Sequence, residues 1–431
     1  MKIVESLTQK WAGLERPFLI HADGELRFSQ IATQGDVDLT EIGDGDVVAL
    51  IGDFDPRSIS TLLRLIDKNV ILVPLTSDTR SQHEYFFESA LVDFVIEGSH
   101  VERVGHGGSH QLLDCLRAKK HAGLVLFSTG TTGRPKAILH DLTVFLKRFS
   151  TPRPTFRTLN FLLFDHIGGL NTLLHTLFNT GTVIAPRSRQ VEDILRSCEE
   201  FDVEVLPATP TFLRMMLMSG MIPERVPPSL KVITYGTERM DQSTLNALCE
   251  LLPRVDFRQT FGMSELGILR VKSKSRDSLF MKVGGEGVET RVVDGVLEIK
   301  SENRMLGYLN AECPFDEEGW YNTKDLVEVS GEYYKVVGRT SEMINVGGLK
   351  FMASEVERVV LELDTVELVK AEGKSNPITG QHVELSVQPR SGESVDPSEL
   401  KRLLKDTLPS HMVPKRIKIK KVEVGHRFKR G

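Results

Sequence analysis

Apolar runs of strand length alternate with helix-period segments through roughly the first 330 residues. Val47-Val-Ala-Leu-Ile and Val70-Ile-Leu-Val-Pro-Leu are apolar almost throughout, and Val183-Ile-Ala is a shorter run of the same kind. Such runs predict strands covered on both faces. Ser60-Thr-Leu-Leu-Arg-Leu-Ile spaces its apolar residues as a helix does. The alternation predicts α/β layers built on largely parallel sheets.

From about residue 280 the texture changes to short strands and glycine turns. Val288-Glu-Thr-Arg-Val-Val and Val296-Leu-Glu-Ile-Lys flank Asp294-Gly295, which predicts a hairpin with Asp-Gly as its turn. A small C-terminal unit begins near Gly338. Its first helix is expected to open on a capping box, Ser354-Glu-Val-Glu357, with Val356, Val359, Val360 and Leu363 on one face. Its second opens with Asp396-Pro-Ser-Glu399, an N-cap followed by proline, and Leu400, Leu403 and Leu404 form the expected buried stripe. Two amphipathic helices and about four strands make a small α+β domain.

Composition narrows the picture. At 431 residues the chain predicts about two or three domains, and 40% hydrophobic with 26% charged residues is the balance of a soluble globular protein. A net charge of −5 gives no pull toward nucleic acid or an anionic membrane. No signal-peptide stretch opens the chain and no run of about 18 apolar residues occurs, so a cytoplasmic protein with no membrane partner is expected. Cys115, Cys198, Cys249 and Cys313 are scattered without a C-x-x-C pair and are expected to be small buried thiols.

The most informative stretch is Leu124-Val-Leu-Phe-Ser-Thr-Gly-Thr-Thr-Gly-Arg-Pro-Lys136. A strand runs into a loop with hydroxyls at Ser128, Thr129, Thr131 and Thr132, glycines at Gly130 and Gly133, and Lys136. Glycines let backbone N–H groups converge, hydroxyls donate, and the lysine adds charge, a combination suited to phosphate. A second apolar stretch follows, then a helix with Asp141 as N-cap and Leu142, Phe145, Leu146 and Phe149 on one face. The loop is not G-x-x-x-x-G-K-S/T, because Ala137 follows the lysine. Nor is there a K-x-D-G ligase signature: Asp294-Gly295 has Val292 where that lysine belongs.

Ser128 to Lys136 match, without a gap, the loop Ser/Thr-Ser/Thr-Gly-Ser/Thr-Thr-Gly-x-Pro-Lys of a known family. On it the chain resembles the acyl-adenylate-forming enzymes: acyl- and aryl-CoA synthetases, luciferase-type enzymes and peptide-synthetase adenylation domains. Further motifs recur in order. Thr234-Tyr-Gly-Thr-Glu238 resembles the adenine-edge loop, which implies base contacts from Gly236, Thr237 and Glu238. Gln259-Thr-Phe-Gly-Met-Ser-Glu265 is similar to Y-G-x-T-E, with Phe261 for the tyrosine that covers adenine and Gly262 beside it. The resemblance gives Ser264 the α-phosphate and Glu265 the Mg²⁺.

Gly319-Trp-Tyr-Asn-Thr-Lys-Asp325 resembles G-W-x-x-T-G-D, which assigns the ribose hydroxyls to Asp325; Lys324 stands where the family has glycine. Lysine there is strained by about 1 kcal/mol if the backbone takes a positive φ. Gly338-Arg-Thr-Ser-Glu resembles the start of the family's mobile domain, with Arg339 at the ribose and Ser341 at the hinge. Leu408-Pro-Ser-His-Met-Val-Pro414 and Val424-Gly-His-Arg-Phe-Lys429 resemble the last motifs, with His411 for Tyr and Phe428 for Gly. They make Lys429 the lysine of adenylation. By the same resemblance His166, in Asp165-His-Ile-Gly-Gly169, borders the acyl pocket, and Gly348 lines the pantetheine passage.

The resemblance therefore implies a large N-terminal region of stacked α/β subdomains, residues 1–338, and a small mobile α+β C-terminal lid, residues 341–431. It implies ATP, Mg²⁺ and a thiol acceptor, CoA or phosphopantetheine, a small carboxylic acid substrate, and an acyl carrier protein as one candidate partner. A binding-only relative and a luciferase-like oxidation are the alternatives.

Overall fold

The computed structural model describes residues 2–34, 36–128 and 134–425. Two seven-stranded sheets dominate. In one, Asp256–Gln259, Val232–Tyr235, Val205–Ala208, Arg157–Leu159, Thr182–Ile184 and Leu19–His21 run parallel, and Gly24–Leu26 closes the edge antiparallel. The other is ordered Gly307–Tyr308, Ala137–Asp141, Gly123–Phe127, Ile71–Leu75, Val47–Ile51, Phe94–Glu97, His100–Arg103. Its four central strands are parallel, and the flanking strands pair antiparallel.

Alternate residues of Val47–Ile51 enter different cores. Val48 and Leu50 join a cluster with the helices Ile3–Trp11, Pro56–Asp67 and Ile167–Phe178, while Val47, Ala49 and Ile51 face Phe86 and Leu113. Burial on both faces explains the unbroken apolar runs. The first cluster also takes Leu19 and Val183 from the other sheet, so the two sheets share one layer of helices.

A six-stranded antiparallel sheet follows, and within it Val288–Val293 and Val296–Ser301 form the expected hairpin. Asp294 at φ 50° and Gly295 at φ 78° give its turn two left-handed residues, as a two-residue hairpin of this twist requires. After this large α/β domain comes a smaller α+β domain: a five-stranded sheet under the helices Ala353–Leu361 and Pro397–Thr407. Val356, Val360, Leu385, Leu400 and Leu404 form its own core.

Three sequence expectations need correction. The first C-terminal helix is capped by Met352 rather than Ser354; Glu355 Oε1 accepts from the Met352 N–H at 2.9 Å. Ser354 and Glu357 are spent on tertiary bonds, to Val337 O and from the Ala371 N–H. Leu403 is exposed, outside the stripe of Leu400 and Leu404. Of the cysteines only Cys198 is fully buried, where desolvation pushes its thiol up to about 12; Cys115 and Cys313 are exposed. Asp396 does cap the second helix, accepting from the Ser398 N–H at 2.7 Å.

The two domains meet at the helix Pro210–Met218. Arg214, 4% exposed, donates to the carbonyls of Leu361 (3.0 Å), Val366 (2.9 Å) and Glu367 (2.7 Å) in the smaller domain and to Thr244 Oγ1 (2.9 Å) in the larger. Among the described residues no helix is long and apolar enough to cross a membrane.

Candidate functional site

In open parallel sheets ligands collect beyond the carboxyl ends of the strands. The loops that leave Gly123–Phe127, Val232–Tyr235 and Asp256–Gln259 at those ends carry most of the candidate residues. Thr129, Gly130, Thr131 and Thr132 lie outside the described residues, but the base of their loop is described. Ser128 N–H donates to Lys136 O (3.1 Å) and Ser128 Oγ accepts from Lys136 N–H (3.0 Å), which closes the loop across its mouth. Pro135 O accepts from Tyr85 (2.8 Å) and from the Asn310 amide (3.1 Å), and Asn310 Oδ1 accepts from Ala137 N–H (2.8 Å). Tyr85 and Asn310 were not singled out from the sequence, because 50 and 175 residues separate them from the proline they hold.

At the end of Val232–Tyr235 only glycine fits position 236: a Cβ there would lie 2.1 Å from Thr260 Oγ1 and 2.6 Å from its carbonyl oxygen. Thr237 follows at φ 72°, a left-handed conformation that strains a β-branched residue by about 1 kcal/mol or more. The Glu238 carboxylate is directed away to a helix end, where Oε1 accepts from the Thr211 N–H at 2.7 Å. Buried side-chain atoms without a described partner gather at these strand ends, among them Thr237 Oγ1 and Gln259 Oε1.

Ser264 and Glu265 occupy the tip of a tight hairpin. Gly262–Met263 pairs with Gly267–Ile268, and Leu266 N–H donates to Met263 O at 3.1 Å. Gly262 is required by close approach, since a Cβ would lie 2.6 Å from Gly267 O. The Phe261 ring packs against the core of Leu266, Leu269 and Met281. Neighbours hold the tip on every side: His140 Nε2 meets Ser264 O (2.6 Å), Met305 N–H donates to Glu265 O (2.8 Å), and Arg148 donates to Ile268 O. Burial pushes the His140 imidazole down to about 4, outweighing the Ser264 carbonyl that favours the charged form. It is therefore a neutral ring at pH 7, donating through Nε2.

The Glu265 side chain has its own support. Tyr308, 5% exposed, donates to Glu265 Oε1 at 2.8 Å, and the Tyr321 phenol lies near both. Desolvation first, then the Glu265 charge, drives both phenols well above the ordinary tyrosine range, so each stays a donor. Lys136 Nζ stands over the Tyr308 ring, 4.7 Å from its centroid. Tyr308 and Tyr321 are the side chains that the sequence reading missed. Lys136 and Glu265 thus share one tyrosine, the lysine over its face and the carboxylate on its hydroxyl.

Asp325 and Arg339 are cross-strand partners, with Arg339 Nε donating to Asp325 Oδ1 at 2.9 Å. Asp325 is 4% exposed, and burial raises its carboxyl above the usual range against the pull of Arg339. Lys324 sits at φ 63°, the left-handed conformation a glycine would take without strain. Elsewhere, His166 caps the helix Ile167–Phe178, its Nδ1 accepting from Gly168 N–H at 3.0 Å. That bond leaves the proton on Nε2. Gly348, at φ 87°, turns an exposed hairpin in the smaller domain. Lys429 lies outside the described residues.

A carboxylate that shares its shell with phosphates and waters suits Mg²⁺, which demands few protein ligands and prefers hard oxygen, so Glu265 fits that ion. The cradle at Gly236 and the unpartnered polar atoms beside it fit a nucleotide edge.

Comparison with known proteins agrees with this geometry. Residues 41–309 match the family described as AMP-binding enzyme. Acyl-CoA synthetase 7 of Caenorhabditis elegans is 26% identical over 307 residues, 63% of this chain and 57% of that protein. A 2-succinylbenzoate–CoA ligase of Staphylococcus epidermidis is 24% identical over 315 residues, 68% of this chain and 64% of that one. The chain thus spans about three fifths of the length of these curated relatives. The crystal structure of the anthranilate CoA ligase AuaEII with anthranoyl-AMP superposes with a TM-score of 0.81 at 16% identity, covering 99% of this chain and 95% of that one. At that identity the likeness is one of fold.

Proposed function

The chain belongs to the AMP-binding enzyme family of acyl-adenylate-forming proteins, and on that premise we propose that it activates a small carboxylic acid with ATP and passes the acyl group to a thiol. The observation that carries this reading is the junction of Lys136, Tyr308 and Glu265, which sets a cation over the face of one aromatic ring and a carboxylate on its hydroxyl, at the mouth of a hydroxyl- and glycine-rich loop.

In this reading Ser128–Lys136 cradle the triphosphate, Gly236 and Thr237 border the base, Phe261 and Gly262 lie beside it, and Asp325 with Arg339 holds the ribose. Ser264 faces the α-phosphate. Mg²⁺ held by Glu265 supplies charge neutralisation for the departing pyrophosphate. A carboxylate oxygen of the acid attacks the α-phosphorus as the bond to pyrophosphate breaks, and Lys429 stabilises the charge that accumulates there. A thiolate then attacks the acyl carbonyl, AMP leaves, and the thiol proton goes to solvent. His166 walls the acyl pocket, and Gly348 borders the path of the thiol. The lid, residues 341–431, moves between the two steps, with Ser341 at the hinge. Such chemistry suits a cytoplasmic compartment, where ATP and free thiols coexist.

The test is pyrophosphate release over a panel of aryl and aliphatic acids with ATP and Mg²⁺, followed by addition of CoA or of a carrier protein bearing phosphopantetheine. Acid-dependent pyrophosphate and a thioester are expected. Release from none of the acids would leave a binding-only protein, and an oxidised product in place of thioester would support a luciferase-like reaction. The thiol that accepts the acyl group separates CoA from carrier protein.

A further inference from the structure

We propose that Tyr308 is a positioning residue that keeps Lys136 and Glu265 apart, so that each stays free for its own oxygen ligand. This rests on the assignment of ATP and Mg²⁺ to the site. A lysine and a glutamate facing one small space will pair with each other unless something intervenes, and the pair would withdraw both from phosphate and metal. Here one buried tyrosine engages both, each through a different part of its side chain. Lys136 Nζ lies over its face at 4.7 Å, and its hydroxyl donates to Glu265 Oε1 at 2.8 Å. Among the described residues Lys136 makes no ion pair with any carboxylate.

The ring cannot drift. Tyr308 belongs to the edge strand Gly307–Tyr308, which pairs with Ala137–Asp141 one residue past Lys136, and Met305 N–H binds the Glu265 carbonyl. The backbone that carries the tyrosine is thus tied to both residues it separates. Tyr321, on a strand of the antiparallel sheet, brings a second phenol near Glu265. The hydroxyl aims the carboxylate, and the ring face holds the ammonium by its quadrupole. The two tasks are separable by mutation.

The experiment is calorimetric titration of the full chain with ATP, in Mg²⁺ and in EDTA, for wild type, Tyr308→Phe and Tyr308→Leu, with thermal unfolding run alongside. Tyr308→Phe keeps the ring and loses the aim. It should raise the Mg²⁺ concentration for half-maximal ATP binding about tenfold, the scale of a hydrogen bond to a charged group, and leave binding in EDTA unchanged. Tyr308→Leu removes the spacer and should weaken ATP binding in EDTA as well, because Lys136 turns to Glu265. Adding Glu265→Gln to Tyr308→Leu should restore much of that loss in EDTA, which a merely misfolded site would not show. Normal Mg²⁺ dependence in Tyr308→Phe, or equal losses in both media for the two variants, overturns the proposal while the ATP reading stands. Failure of the wild type to bind ATP with Mg²⁺ overturns both.

Discussion

Two regions of this molecule hold their key side chains in opposite ways. At the Glu265 hairpin tip, support comes from within one domain: His140, Met305, Arg148 and Tyr308 each fix one point of a turn a few residues long. At the domain seam a single guanidinium, Arg214, gathers three carbonyls of the smaller domain onto one helix of the larger. The first arrangement is redundant and local. The second leans on one side chain, with the bond from Ser354 Oγ to Val337 O beside it, and lies apart from the nucleotide loops. The proposed two-step reaction would draw on such a division between a rigid centre and a seam that lets go.

The largest effect should come from the lysine proposed to stabilise charge at the α-phosphorus. Lys429→Ala is expected to slow adenylation by about 10²- to 10³-fold, the scale of one lost electrostatic contact, and to spare thioester formation from preformed acyl-adenylate. Stopped-flow measurement of each half-reaction decides this, and equal loss of both contradicts the role. Next comes the seam. Arg214→Met keeps the stem and removes the bonds, and should loosen domain docking by about 3 kcal/mol. Hydrogen exchange should then quicken in Ala353–Leu361 and Val366–Asn376 while ATP binding holds. Unchanged exchange would mean that the seam is held by packing.

Acid should act on the centre instead. Burial holds the His140 ring down to about 4 in the folded chain, against 6.5 for an ordinary imidazole. Between those values the unfolded chain binds the proton and the folded one does not, so stability is full above pH 6.5 and drains as pH falls toward 4. The loss amounts to roughly 2–3 kcal/mol, and His83 and His175 shift in the same direction. Denaturant titrations across that window should show it, and His140→Gln, which retains a donor for Ser264 O, should flatten it. A slope unaltered by the substitution would remove His140 from the account. The smallest effect belongs to neither region: Lys324→Gly, relieving the left-handed backbone beside Asp325, should stabilise the chain by about 1 kcal/mol in thermal unfolding. No stabilisation would show the strain absorbed by neighbours.

What the sequence disclosed follows the reach of each interaction. Asp294-Gly295 announces its hairpin and Asp396 its helix because both act on backbone within three residues. Ser354 carried the same kind of signal and misled, since its hydroxyl is taken by Val337 O, 17 residues away. Lys136, Glu265, Asp325 and Arg339 were found through their motifs, and the structure sets Asp325 against Arg339 and Lys136 over the ring bound to Glu265. Tyr308 escaped because 43 residues separate it from Glu265 and nothing local marks a tyrosine after glycine as a spacer. Arg214 escaped likewise, a lone cation in an apolar helix whose partners lie some 150 residues on.

The central claim is that the acid's own oxygen attacks the α-phosphorus. It is tested most directly by supplying the acid with both carboxylate oxygens as the heavy isotope, together with ATP, Mg²⁺ and the thiol, and weighing the nucleotide product. The account predicts AMP heavier by one isotopic oxygen, with the other retained in the thioester. Unlabelled AMP, or ADP with free phosphate in its place, would contradict it.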